Sequence, residues 1–127
     1  MERLTNWETT IDIEMIENIS GAQQYYEVIF LTKDNERYKF ILRDVWDIRC
    51  SIENASIERF CEFRKYLPEG LIDNGVYVVE DSEYIKYFEH QVSGTRPMEE
   101  IKHYLISDQI DMMIDVLTPE KPVLVKM

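Results

Sequence analysis

Residues 38–52, YKFILRDVWDIRCSI, alternate between apolar and polar side chains over most of their length. Successive side chains of a β-strand point to opposite faces of a sheet, so one face of this stretch is apolar and the other mostly charged. Asp44 interrupts the apolar face, and Ile41 and Val45 interrupt the charged one. The pattern predicts one long strand, or a pair of strands separated by a kink or bulge near residues 43–45.

The residues before this stretch supply its partner strand. Residues 25–32 are apolar on both faces and rich in β-forming residue types. Four polar residues at 33–36, KDNE, join the two stretches, and this is a connection of hairpin length. We therefore predict an antiparallel hairpin at the centre of the fold, with Cys50 on its apolar side as a small buried core residue.

The remaining elements are mostly short strands. Residues 11–15 alternate as a first strand does, although with Ile16 and Ile19 they also fit a helical period. Residues 54–63 favour a short helix that stops before Pro68, and a continued irregular strand is the alternative. The later elements are predicted to be a strand at 76–79, a helix at 83–92 capped by Asp81 or Ser82, strands at 101–106 and 110–117, and a short edge strand at 123–125.

This order of elements predicts the fold class. Strands predominate, their connections are short, and strands and helices do not alternate regularly. We expect an α+β fold, a mainly antiparallel sheet of about six to seven strands with one or two helices. A chain of 127 residues with 45% apolar side chains is long enough to bury a core, and we expect residues 1–127 to form a single domain.

The chain is strongly acidic. It carries 25 acidic and 14 basic side chains, which gives a formal charge of −11. Such a charge disfavours nucleic acid and anionic membranes as partners and attracts a basic protein. Acidity that serves solubility alone is the alternative explanation.

Several features indicate a cytoplasmic protein, of bacterial type. The first residues, MERLTNWE, do not form a basic segment followed by an apolar one, so no signal peptide is expected. The longest apolar runs are too short to span a bilayer. The two cysteines, Cys50 and Cys61, fit a reducing compartment better than a disulfide framework.

No pattern in the sequence predicts a catalytic site, a metal site or a cofactor. The two histidines, His90 and His103, have no metal-ligand spacing to each other or to a cysteine. A nucleophilic pair of Cys61 with either histidine would have to be assembled by the fold, because no local motif encodes it. We expect instead a buried cysteine and two surface histidines.

Acidic residues near the C-terminus admit two interpretations. On a strand, Asp111 and Asp115 share a face with Met113, and together with Asp108 they offer oxygens to a divalent cation. No known cation-loop spacing is present, so we favour a solvated acidic face.

A second acidic group lies at the start of the predicted helix at 83–92. Glu80, Asp81 and Glu83 lie where negative charge complements the helix dipole. Tyr87 is expected on the outer side of the same helix, with its hydroxyl group in water.

One part of the chain carries a resemblance to a known group of proteins. The relevant segments are VVEDSEYIKYF at 78–88, HYLI at 103–106, and the strand at 110–117 that leads to Pro119. Over residues 76–122 the chain resembles small bacterial immunity-type proteins, which are encoded beside polymorphic or contact-dependent toxins. This resemblance implies a non-enzymatic inhibitor that binds a toxin domain.

The charge and the resemblance together lead to one functional hypothesis. Nuclease toxins need basic surfaces to hold phosphate, so an acidic inhibitor can occupy those surfaces and associate quickly. The expected partner-binding residues are Asp12, Glu14, Glu80, Asp81, Glu83, Tyr87, Asp111 and Asp115. Two alternatives are a phage-type nucleic-acid mimic that blocks a host nuclease, and a small ligand-binding protein or enzyme that uses Cys61, a histidine or the aspartates.

Overall fold

The computed structural model describes residues 3–8, 10–52, 75–92, 100–108 and 112–127. In these ranges the elements are β1 (Arg3–Asn6), β2 (Ile13–Ala22), β3 (Tyr25–Thr32), β4 (Arg37–Leu42), β5 (Asp47–Ile52), β6 (Val76–Glu80), α1 (Glu83–Val92), β7 (Lys102–Ser107), β8 (Met112–Thr118) and β9 (Val123–Lys126). No helix in these ranges combines the length and apolar character needed to cross a membrane.

The strands form two antiparallel sheets. One has five strands in the order β1-β6-β7-β8-β5, and the other has four in the order β2-β3-β4-β9. The expected α+β class and the mainly antiparallel pairing are confirmed. The expected number of strands was too low, because the described ranges contain nine strands in two sheets. The sequence pattern missed β1, a strand of only four residues.

The hairpin predicted at the centre of the chain is present. β3 pairs with β4 in antiparallel register, from Tyr26 opposite Leu42 to Leu31 opposite Arg37. Its tight link contains Asn35 with a positive φ of 63°, a conformation that asparagine tolerates better than most residues. The link at 33–36 was therefore assigned correctly.

The long stretch at 38–52 divides between the two sheets. β4 ends at Leu42 in the four-stranded sheet, and β5 begins at Asp47 in the five-stranded one. Between them Asp44 adopts a φ of 49°, and the Trp46 N–H donates a hydrogen bond to the Leu117 carbonyl at 2.8 Å. The predicted interruption is confirmed, but it is a crossing between sheets and not a bulge within one strand.

The inner faces of the two sheets pack on each other to form the main core. Its buried members are Trp7, Ile11, Ile13, Ile16, Val28, Phe30, Phe40, Leu42, Val45, Val76, Tyr104, Ile106, Ile114 and Val116. The rings of Phe30 and Phe40 stack with centroids 5.1 Å apart, and Trp7 meets Phe40 edge-on at 5.3 Å. Alternating side chains from both sheets therefore fill one interior, as in other sandwiches.

A buried carboxylate joins the two sheets. Asp108 accepts the Ile16 N–H of β2 on Oδ2 at 2.9 Å and the Met112 N–H of β8 on Oδ1 at 2.8 Å. The two strands belong to different sheets, so this one side chain fixes part of their relative position.

Other predicted elements have mixed outcomes. Residues 13–15 of the strand predicted at 11–15 begin β2, which confirms a strand there and excludes the helical alternative, although residues 11 and 12 precede it. The helix predicted at 83–92 matches α1, with Ser82 as its cap. Cys50 was expected to be buried and is exposed, because β5 is the outermost strand of its sheet. The helix predicted at 54–63 lies outside the described residues.

Candidate functional site

Three polar side chains are buried together on the outer face of the five-stranded sheet, beneath α1. His103 of β7 is 1% exposed, Asp115 of β8 is 0% exposed, and Ser82, just before α1, is 4% exposed. Their neighbours in the strands, such as Tyr104 and Val116, point the other way into the main core. The alternation of side chains along β7 and β8 therefore places His103 and Asp115 side by side under the helix.

A continuous chain of hydrogen bonds links these three residues, which we call the Ser82–His103–Asp115 array. Ser82 Oγ lies 2.7 Å from His103 Nδ1, and His103 Nε2 lies 2.6 Å from Asp115 Oδ1. Ser82 Oγ also accepts the Ile85 N–H at 3.1 Å and so caps α1. All groups find partners when Ser82 donates to Nδ1 and a neutral imidazole donates its Nε2 proton to an ionised Asp115.

An aromatic and charged shell surrounds the array. The Tyr84 ring of α1 meets the His103 ring edge-on at 5.3 Å, and its hydroxyl donates to Asp47 Oδ2 at 2.7 Å. The Arg49 guanidinium carbon lies 3.6 Å from the centroid of the Tyr84 ring, in cation–π contact. Burial, and then the hydrogen bond to Asp47, raise the pKa of Tyr84 well above its ordinary value.

The array contains the residue types of a serine-hydrolase triad but differs from one in its geometry. In the chymotrypsin arrangement serine bonds to Nε2 of histidine and aspartate to Nδ1, whereas here the two nitrogens are exchanged. Ser82 Oγ is also occupied as a helix cap and is almost wholly buried. A nucleophile must come within roughly 3–3.5 Å of a substrate atom. The observed arrangement therefore fits a structural link between α1 and the sheet.

Two expectations about these residues were wrong. His103 was expected at the surface, and Asp115 was expected on a solvated acidic face, but both are buried under α1. A signal in the sequence was available, because Asp115 lies between Met113 and Leu117 on one strand face, and both of these are apolar. An acidic residue flanked at both i±2 positions by large apolar residues indicates a covered face. His90 is exposed, as expected.

Four of the expected partner-binding residues lie close together in the chain at one surface feature. Glu80 ends β6, Asp81 follows it, Glu83 begins α1, and Tyr87 lies one turn later on the same helix. All four are exposed, and Tyr87 is 61% exposed, which is unusual for a large aromatic residue in a helix. We call these four residues the β6–α1 corner.

The other expected partner-binding residues are not part of this corner. Asp12 immediately precedes β2 and pairs with Lys33 at 3.3 Å, and Glu14 is exposed near the start of that strand in the four-stranded sheet. Asp115 is buried and presents no charge to a partner. Asp111 lies outside the described residues.

Ion pairs take up many of the surface cations in the described ranges. The pairs are Arg3–Glu80, Lys33–Asp12, Arg37–Glu17, Lys39–Glu27, Lys86–Asp81, Lys86–Glu83, Lys121–Glu8 and Lys126–Glu36. Among the described residues, no group of three or more histidine, cysteine or acidic side chains is arranged to hold a metal ion. Because the chain has 25 acidic and only 14 basic side chains, these ion pairs leave it with a net negative charge.

Similarity to known proteins does not indicate which function this surface serves. Comparison of the chain with family models, with curated proteins and with solved structures finds no match.

Proposed function

We propose that this chain is a non-enzymatic acidic binding protein, an immunity protein that neutralises a cognate bacterial toxin by direct contact. The partner is a basic protein domain, and the chain supplies a rigid acidic surface to it. The observation that carries the proposal is the β6–α1 corner, where three exposed carboxylates share two cations, Arg3 and Lys86, and stand beside the exposed Tyr87.

Long-range charge supports such a role. A net charge of −11 attracts a cationic surface and accelerates encounter with it. Carboxylates on a fixed scaffold would stand in for the phosphates that the basic surface of a nuclease toxin otherwise holds. Electrostatic attraction of this kind determines the association rate more than the final affinity.

Tyr87 gives the corner a second kind of contact. Tyrosine offers a large apolar ring together with a hydroxyl group, and it is enriched among residues that dominate binding energy. Its position one turn after Glu83 places the ring beside a carboxylate on the same helix. A basic partner would therefore meet charge and apolar surface at one place.

The buried Ser82–His103–Asp115 array supports the corner from below. Ser82 lies between Asp81 and Glu83, and its hydroxyl holds both the start of α1 and the His103 ring. The corner is thereby tied to the middle strands of the sheet. A surface that is already ordered loses less conformational entropy when a partner binds.

Binding to the product of the neighbouring gene tests this proposal. The double variant Glu80→Lys with Glu83→Lys should weaken binding of that product by at least about tenfold, mainly through slower association. The matched control is Asp34→Lys with Glu120→Lys, which reverses two exposed acids on other elements and should have an effect several times smaller. Equal effects of the two variants would mean that net charge acts without a specific site.

The neighbouring gene also separates this proposal from its nearest alternative. A phage-type mimic of nucleic acid would use the same carboxylates but bind a host nuclease. Capture of the adjacent gene product, and protection of cells from its toxicity, favour the immunity role. Failure of both assays, with inhibition of a host nuclease instead, would replace it.

A further inference from the structure

The two hydrogen bonds of the buried His103 ring lead to different parts of the fold. Nε2 bonds to Asp115 at 2.6 Å, and the two residues are held by the paired strands β7 and β8. Nδ1 bonds at 2.7 Å to Ser82, the cap residue of α1. If α1 separated from the sheet, the bond to Ser82 would break, whereas the pair with Asp115 would stay within the sheet.

The direction of the Ser82 bond depends on the charge of the imidazole. A neutral ring with its proton on Nε2 has an acceptor at Nδ1, which takes the Ser82 hydroxyl proton. A charged ring has a proton on both nitrogens, so Ser82 Oγ must accept from Nδ1 as well as from the Ile85 N–H.

This reversal leaves the Ser82 hydroxyl proton without an acceptor. Among the described residues, His103 and Ile85 are the hydrogen-bond partners of Ser82 Oγ, and both would then be donors. Ser82 is only 4% exposed, so water has little access to replace the lost acceptor. A buried hydroxyl without a partner lowers the stability of the contact that buries it. Protonation of His103 therefore weakens the attachment of α1.

The central strands of the sheet attract a proton to His103 without holding the helix. In register, His103 lies opposite Val79 of β6 and Leu117 of β8, which are both apolar. Asp115 is the acidic neighbour of the ring and favours its charged form. This attraction acts whether α1 is attached or separated, whereas the Ser82 bond exists only in the attached state.

The groups around the start of α1 oppose a positive charge on the ring. Ser82 caps α1, so His103 lies at the N-terminus of the helix, which is the positive end of its dipole. Arg49 of β5 adds a positive charge on the face of the Tyr84 ring, and Asp47 accepts the Tyr84 hydroxyl proton.

The acidic residues on either side of Ser82 compensate little for this opposition. Asp81 and Glu83 are exposed, and both pair with Lys86, at 3.0 and 3.4 Å. Solvent and salt screen exposed charges of this kind. The helix dipole and the loss of the Ser82 bond therefore determine the response of α1 to a charged His103.

We infer that His103 is a pH-sensitive link between α1 and the five-stranded sheet. The neutral ring holds the helix through Ser82, and the charged ring holds it less strongly. Histidine changes its charge between about pH 5 and pH 8, so acidification through this range loosens α1 while β7 and β8 stay paired. The inference concerns the free chain and does not depend on what binds at the β6–α1 corner.

Amide hydrogen exchange of the full chain, followed by NMR at about pH 7.5 and about pH 5.5, tests the inference. After correction for intrinsic exchange rates, the protection of α1 amides such as Phe88 should fall at least about fivefold relative to β3 amides such as Val28. The control His90→Gln, which replaces an exposed histidine of the same helix, should show the same fall.

The variant His103→Gln should remove this pH dependence. A glutamine amide can accept the Ser82 hydroxyl proton and donate to Asp115, but it does not change its charge in this pH range. The protection of α1 relative to β3 should therefore be the same at both pH values. A fall as large as that of the wild type would contradict a role for His103.

The variant Ser82→Asp should reverse the sign of the response. Aspartate also caps helices well, but its carboxylate can only accept, so it bonds to a charged His103 ring and not to a neutral Nδ1. The protection of α1 should therefore rise on acidification. The ¹⁵N resonances of the ring show when His103 takes up its proton. A ring that stays neutral down to about pH 5, or a wild-type or Ser82→Asp helix whose protection does not respond to this proton as stated, would overturn the inference.

Discussion

Removing His103 should destabilise the fold more than removing His103 and Asp115 together. In the variant His103→Leu, the buried Asp115 carboxylate loses the imidazole donor at 2.6 Å, and Ser82 loses the acceptor at 2.7 Å. In the double variant with Asp115→Leu, the buried charge disappears with its partner. The two changes should therefore be strongly non-additive, with the second partly reversing the first.

The expected magnitudes follow from burial. Breaking a buried charge-bearing pair by removing one member costs about 3–5 kcal/mol, so we expect His103→Leu to cost about 4 kcal/mol. Asp115→Leu leaves the imidazole N–H without its acceptor and should cost about 2–3 kcal/mol. Replacing both members of such a pair with apolar residues is often close to neutral. We expect about 2 kcal/mol for the double variant, which gives a coupling of about 4–5 kcal/mol.

Urea unfolding followed by far-UV circular dichroism and tryptophan fluorescence would measure these values. Trp46 packs near Phe88 of α1, with ring centroids 6.3 Å apart, so its fluorescence also reports on docking of the helix. The control His90→Leu changes an exposed histidine of α1 and should shift the unfolding free energy by no more than about 0.5 kcal/mol. Additive costs for His103→Leu and Asp115→Leu would refute the proposed linkage.

Four further predictions concern other parts of the molecule. Asp108→Asn should cost about 2 kcal/mol in urea unfolding, because an amide cannot accept both backbone N–H groups as the carboxylate does; a cost as small as that of exposed Asp34→Asn would contradict this. Tyr84 keeps its proton in the folded state at pH values where the unfolded chain releases it, near pH 10. Between about pH 9 and pH 11, the unfolding free energy of the wild type should therefore fall more steeply with pH than that of Tyr84→Phe, by up to about 1.4 kcal/mol per pH unit. Equal slopes for the two proteins would show that the proton of Tyr84 does not stabilise the fold. Gly21→Ala should lower the unfolding free energy by more than about 1 kcal/mol, since its φ of 154° and the adjacent backbone leave no room for Cβ. An unchanged midpoint in urea would contradict this. Mass spectrometry after incubation with a fluorophosphonate should find Ser82 unmodified, and a covalent adduct there would identify a reactive nucleophile.

The local elements of the fold could largely be predicted because they depend on short-range patterns. The apolar, β-forming run at 25–32 and the polar link at 33–36 indicate the hairpin without knowledge of the rest of the chain. Ser82 followed by the apolar spacing of α1 indicates the helix in the same way. The interruption near Asp44 was also visible, because an acidic residue broke an otherwise apolar face.

The assembly of these elements could not be predicted, because it depends on which faces are covered. Nothing local distinguishes a bulge at residues 43–45 from a crossing between sheets, since the difference lies in the partners of β4 and β5. Asp115 was assigned to the surface although its apolar neighbours at 113 and 117 indicate a covered face; what no local pattern could show is that α1 is the element that covers it. Cys50 was expected to be buried and is exposed. It lies on β5, the outermost strand of its sheet, where the core-facing side is less covered.

The dependence of the association rate on salt, measured with the product of the neighbouring gene, tests the proposed function most directly. Stopped-flow mixing from about 20 mM to about 500 mM salt should show a rate that falls at least about tenfold for the wild type. The fall should be shallower for Glu80→Lys with Glu83→Lys. A rate that depends neither on salt nor on these two side chains would contradict recognition through acidic charge.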